Sequence, residues 1–174
     1  MTDEQLRIRS YLQGQGAKLS PDGIIEKVRA AMTELREAAI AVPAARFAER
    51  PAPDDWSGNE VMAHVIMAGR RFGDRIVNVL DGAPAGGTLA EPTDATTRRR
   101  TADEWCGELE RDRAALFARV RRASPTERLD ATIAHPFFGE LNWRETLLFM
   151  RLHDLDHAGQ LRKIADAFGA PRSA

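Results

Sequence analysis

Apolar residues recur every three to four positions along four long stretches of this chain, and each stretch is opened by a capping sequence. Ser20-Pro21 supplies an N-cap serine and a proline whose missing N–H does no harm in a first turn. Ile24, Val28, Ala31, Met32, Leu35, Ala38, Ala39 and Val42 then hold the helical period up to Pro43. Ser57 with Glu60, Thr101 with Glu104, and Asn142 with Glu145 open the other three. In each, a side chain that can accept from the backbone precedes a glutamate by three residues. The pattern predicts helices near 20–42, 57–80, 101–122 and 142–168. The stretch from Met1 to Gln15, with Leu6, Ile8, Tyr11 and Leu12, reads as a short helix or as an arm packed on a neighbour. Residues 131–141 read as a loop or a small extended piece, with Phe137 and Phe138 placed to cover an end of the structure.

The segment from Ala83 to Arg100 is rich in Gly, Pro, Thr and Ala and has no period. A helix of about 24 residues is roughly 36 Å long, whereas about 18 extended residues span up to roughly 60 Å. The link can therefore carry the chain back along a whole bundle, leaving the helices on either side of it parallel. The expected fold is all-α, a four-helix bundle with one long crossover.

Composition narrows the function classes. The 174 residues are 43% hydrophobic and 29% charged, as expected of a single globular domain spanning 1–174. A net charge of −1 gives no field that favours nucleic acid or an anionic membrane. The run Arg98-Arg99-Arg100 and the cluster Arg119, Arg121 and Arg122 read as solvated surface. A single cysteine, Cys106, excludes an internal disulfide framework and reads as a packing residue. No apolar run reaches the roughly 18 residues of a membrane span. MTDEQLRIRS lacks the apolar centre of a signal peptide, so the expected location is the cytoplasm.

The chemistry concentrates in the last stretch, NWRETLLFMRLHDLDHAGQLRKIADAF. His153 and His157 are four apart, which on a helix stacks them on one face. Phe149, Met150, Leu161, Ile164 and Phe168 fall on or beside that face. Imidazoles in apolar surroundings need a hydrogen-bond partner, or they share a divalent metal such as Zn, Ni, Cu or Fe. A third histidine, His64, lies two turns into the stretch opened by Ser57, with Phe72 near its face and Trp56 just ahead of the cap. Each also reads as an ordinary core histidine when taken alone. His135 precedes Pro136, which biases it to extended backbone and makes it a weaker candidate. Gln160, three residues after His157, is a candidate for a contact to a ligand histidine or to substrate, or for polar edge packing. Asp154 and Asp156 are placed either to orient imidazole N–H groups or to face solvent.

The pieces WSGNEVMAHVI and HPFFGELNWRETLLFMRLHDLDHAGQL, in this order and about 80 residues apart, resemble the DinB/YfiT-like superfamily. The resemblance extends over roughly residues 20 to 168. It implies a four-helix bundle running up-down-down-up, with a divalent metal held by His64, His153 and His157. In the mycothiol-dependent branch the first position of the pair on the last helix can be glutamate. Here it is His153, a departure that weakens direct transfer of that activity.

Three protein nitrogens leave a coordination position open, the arrangement of catalytic metals rather than of closed structural zinc. The resulting expectation is a divalent-metal-dependent enzyme of small-molecule substrates. It would activate water or a low-molecular-weight thiol, as a hydrolase, thiol S-transferase or isomerase. Zn or Ni is the preferred metal, with Fe or Co compatible with the same ligands. No catalytic base has a distinct motif. The rival expectation is a non-catalytic, metal-stabilised dimeric stress or small-ligand-binding protein, with a cavity lined by Phe72, Phe149 and Met150. Neither expectation includes a nucleic acid or membrane partner, and both are compatible with a homodimer.

Overall fold

The structure is a computed structural model in which residues 1–87 and 98–169 are described. Five helices, α1 (Asp3–Lys18), α2 (Pro21–Ala41), α3 (Gly58–Leu80), α4 (Ala102–Val120) and α5 (Trp143–Ala167), account for most of them. A two-stranded hairpin, β1 (Ile133–His135) and β2 (Gly139–Leu141), precedes α5. The four long helices begin where the sequence places their caps. Ser57, Thr101 and Asn142 each form a reciprocal capping box with the glutamate three residues on, and the Ser20 hydroxyl accepts from Gly23. The N-terminal segment is a helix rather than a free arm. Thr2 and Gln5 form its own capping box, and α1 packs on α5, with Gly16 against Glu145 and Leu148.

Helix directions follow from which residues meet. Asn59 Oδ1 accepts from Trp105 Nε1, Arg70 pairs with Glu108 and Asp112, and Arg119 reaches Leu80 and Asp81. Position numbers rise together, so α3 and α4 are parallel, as the long link between them requires. That link falls largely at 88–97, outside the described residues. Between α3 and α5 the order inverts: His64 lies by His157 and His153, and Phe72 by His153 and Phe149. Between α2 and α4 it also inverts, Arg36 pairing with Asp103 and Glu110 while Arg29 lies over Phe117. Helices α2 to α5 therefore run up-down-down-up. The only strands among the described residues are the hairpin pair, where Ile133 faces Leu141 and His135 faces Gly139. Gly139 closes that turn at φ 69°, a backbone conformation that glycine adopts without strain.

The core divides into two apolar clusters. One gathers Leu12, Ile24, Val28, Phe72, Ile76, Phe117, Trp143 and Leu147, and the other Leu35, Ala38, Val61, Met62, Trp105, Leu109 and Leu161. Between them, α4 contributes Arg113 and α5 contributes His153, Asp154 and His157, all buried, with His64 facing them from α3. Burying five polar side chains in one layer costs free energy unless each is satisfied. Such a layer interrupts the apolar packing between the two clusters, and interruptions of this kind gather at functional sites.

Candidate metal centre

Helices α3 and α5 bring His64, His153 and His157 together, each less than a tenth exposed. Each offers a ring nitrogen, and these three atoms lie within 4.8 Å of one another. The pair on α5 is preformed by its one-turn spacing, with ring centroids 4.4 Å apart. His64 enters from the antiparallel helix, its centroid 4.8 Å from that of His157. Its Nε2 is 3.2 Å from Nε2 of His153. Two nitrogens at zinc–nitrogen distance in a tetrahedral arrangement stand about 3.3 Å apart. The observed separation fits two ligands of one ion as well as it fits an N–H···N bond.

The tautomer of His157 is set by Gln160, whose Oε1 lies 2.9 Å from Nδ1. Nδ1–H donates to that oxygen, leaving the Nε2 lone pair free to ligate. Burial, helped by the neighbouring His153, holds the His157 imidazole down at about 4, against a smaller opposing effect of Gln160. The ring is therefore neutral at physiological pH, the form a metal requires. Trp56 packs on His64 with centroids 5.1 Å apart, and Phe72 and Phe149 wall His153 at 5.7 and 6.1 Å. The donor set, its neutrality and its spacing all suit a divalent ion.

Asp154 and Asp156 do not orient the imidazoles as the sequence allowed. Asp156 is exposed. Asp154 is fully buried, stands 3.9 Å from His153 Nδ1, beyond hydrogen-bond reach, and takes Arg113 instead. Arg113 Nη2 lies 3.0 and 3.1 Å from the two Asp154 oxygens, and Nη1 donates to Met150 Sδ at 3.2 Å. Met150 thus faces α4 and not the histidines. Gly69 makes room for this arginine, since a Cβ there would lie 3.3 Å from Nη2. Sequence reading missed Arg113 although a signal was present. It stands four residues after Leu109 and three before Leu116, an inward position of α4 held by a charge.

His135 is more deeply placed than its position beside a proline suggested, at 4% exposed. Its ring lies against Phe149 at 4.4 Å, Phe138 at 4.7 Å and Phe72 at 6.4 Å. Two of those three rings, Phe72 and Phe149, are also the walls of His153. Phe138 is buried in the first apolar cluster, whereas Phe137 stays half exposed. Cys106 is buried, its thiol pushed up to about 11 by desolvation, which disfavours the thiolate. No described helix is long and apolar enough to cross a membrane.

A family model described as the DinB superfamily matches residues 24–161. Among solved structures the chain is similar to TT2238, described as a four-helix bundle protein. The TM-score is 0.61 and the identity 23%, over 83% of this chain and 99% of that one. It is also similar to YfiT from Bacillus subtilis, described as a probable metal-dependent hydrolase with an unusual four-helix bundle topology (TM-score 0.68, identity 12%, 87% of this chain and 89% of that one). A variant of the mycothiol-dependent maleylpyruvate isomerase matches with a TM-score of 0.66 and 15% identity, over 91% of this chain and 64% of that one. At these identities the structural likeness establishes the fold. The comparison with curated proteins gives no match.

Proposed function

The chain belongs to the DinB superfamily, and on that premise we propose that it is a divalent-metal-dependent enzyme whose ion is held by His64, His153 and His157. The observation that carries this reading is the meeting of three buried imidazoles from two helices within 4.8 Å, one of them with its tautomer fixed by Gln160. Three nitrogen ligands leave a position open, and a divalent ion there acidifies water or a thiol toward neutral pH. The chain's own residues supply the rest. Gln160 holds the His157 ring, and Trp56, Phe72 and Phe149 limit water around the imidazoles. The Arg113–Asp154 pair ties α5 to α4 one residue from His153. Zn or Ni suits these ligands best, with Fe or Co accepted by the same set. The hydrolase-type reading is supported by the description of YfiT and the thiol-type reading by that of the isomerase.

The test is a screen of untagged, metal-reconstituted protein. One arm offers activated esters and amides for hydrolysis, the other offers small thiols together with electrophiles. Turnover in either arm that requires metal and vanishes in His157→Ala supports the enzyme. Metal uptake that raises the melting temperature with no turnover in either arm would favour the rival, a metal-stabilised protein that binds a small ligand. The burial of all three histidines is the one observation on that side.

A further inference from the structure

His135 carries a buried hydrogen-bond donor that no described residue receives. Its Nδ1 accepts the backbone N–H of Phe137 at 3.2 Å, so the proton of the neutral ring sits on Nε2. Burial, with a contribution from nearby His153, holds the ring neutral down to about pH 4. Nε2 is itself buried and has no hydrogen-bond partner among the described residues. Buried donors are almost always paired, and the exceptions call for a ligand, a water or a catalytic use.

The surroundings say what kind of acceptor fits. The rings against His135 are the phenyls of Phe72, Phe137, Phe138 and Phe149, and Phe72 and Phe149 continue to His153. A carboxylate or phosphate placed among these rings would lose its hydration without gaining a counter-charge from them. A neutral carbonyl oxygen gains the hydrogen bond at far smaller desolvation cost.

We propose that His135 Nε2–H is the specificity contact of the site, donating to a neutral carbonyl oxygen of a small ligand whose apolar body lies against Phe72 and Phe149 and whose other end reaches the three histidines. This rests on the metal-centre reading for the ligand's far end alone. The donor, its burial and its aromatic walls are independent of any ion.

The experiment uses two probes, N-(2-mercaptoethyl)acetamide, which carries a carbonyl, and 1-butanethiol, which does not. Both are titrated into cobalt(II)-loaded wild type and His135→Phe, and the visible spectrum of the cobalt reports thiolate binding. Wild type is expected to prefer the amide thiol by roughly three- to tenfold, the worth of one hydrogen bond. His135→Phe is expected to keep its cobalt and its affinity for 1-butanethiol while losing that preference. A preference retained in His135→Phe, or absent from wild type, overturns the proposal. A second measurement needs no metal. In 15N-histidine-labelled apo protein the His135 Nε2 resonance should move on adding the amide thiol and stay in place with 1-butanethiol. A resonance unmoved by either, as for a donor already satisfied by a buried water, also overturns the proposal. If cobalt is not taken up but the resonance moves, the metal centre fails and the His135 contact stands.

Discussion

Arg113 on α4 and Asp154 on α5 form an ion pair with side chains 3% and 0% exposed, one residue away from His153. Removing two charges from water costs several kcal/mol each, so such a pair adds little net stability over an apolar pair of the same size. It ties α5 to α4 directly beside His153, a link that would orient that ring.

The first prediction separates these two roles. Asp154→Ala leaves the arginine buried without a partner and should cost about 3–5 kcal/mol in urea denaturation. Arg113→Met combined with Asp154→Leu should recover most of that loss. The double variant should nevertheless bind metal more weakly than wild type, because nothing polar then sets the register. Unchanged metal affinity in a stable double variant would show that the pair does not position His153.

Gln160 should matter for metal and little for folding. Replacing it by alanine frees His157 Nδ1 and the ring orientation. Loss of a partner of this kind typically costs about 10–100-fold in metal affinity. Competition with a chromogenic chelator measures it, and the melting temperature of the metal-free protein should change little. An affinity equal to wild type would return Gln160 to ordinary edge packing.

Acid should destabilise the metal-free protein in a defined window. His135 and His157 are both held at about 4, well below the ordinary imidazole value of 6.5. The unfolded chain therefore takes up protons at these positions before the folded one does, and stability falls as pH drops from about 6.5 toward 4. Above about 6.5 neither group contributes to the pH dependence. Chemical denaturation of wild type and His157→Gln across this range should show a shallower slope for the variant. Equal slopes would contradict the depressed value at His157.

The helices were legible because local signals agree with the fold. Ser20, Ser57, Thr101 and Asn142 cap them, and the apolar period does the rest. The parallel pair α3 and α4 was legible from the length of the link alone. The pairing of His153 with His157 was legible from helical spacing, and His64 joined them only through the resemblance to the DinB/YfiT-like superfamily. The destinations of Asp154, Met150 and His135 were not. Asp154 and Met150 sit beside the histidine face in sequence, yet their partner Arg113 comes from another helix, about 40 residues away. His135 looked peripheral because local rules place it in an extended turn. Its burial comes from Phe72 and Phe149, residues of two helices that meet only once the bundle is closed.

Three histidines that hold one ion fix the metal stoichiometry at one per chain. Untagged protein equilibrated with Zn or Ni at neutral pH, then freed of excess ion, is measured by elemental analysis. One ion per chain is expected in wild type and in His135→Phe, and none in His153→Ala or His157→Ala. At a metal concentration about a thousand times the dissociation constant, the bound ion should add roughly 4 kcal/mol of stability to wild type. That gain should be absent from the two alanine variants. Wild-type protein that retains no metal and shows no rise in melting temperature would overturn the three-histidine metal site and return these residues to hydrogen-bonded core positions.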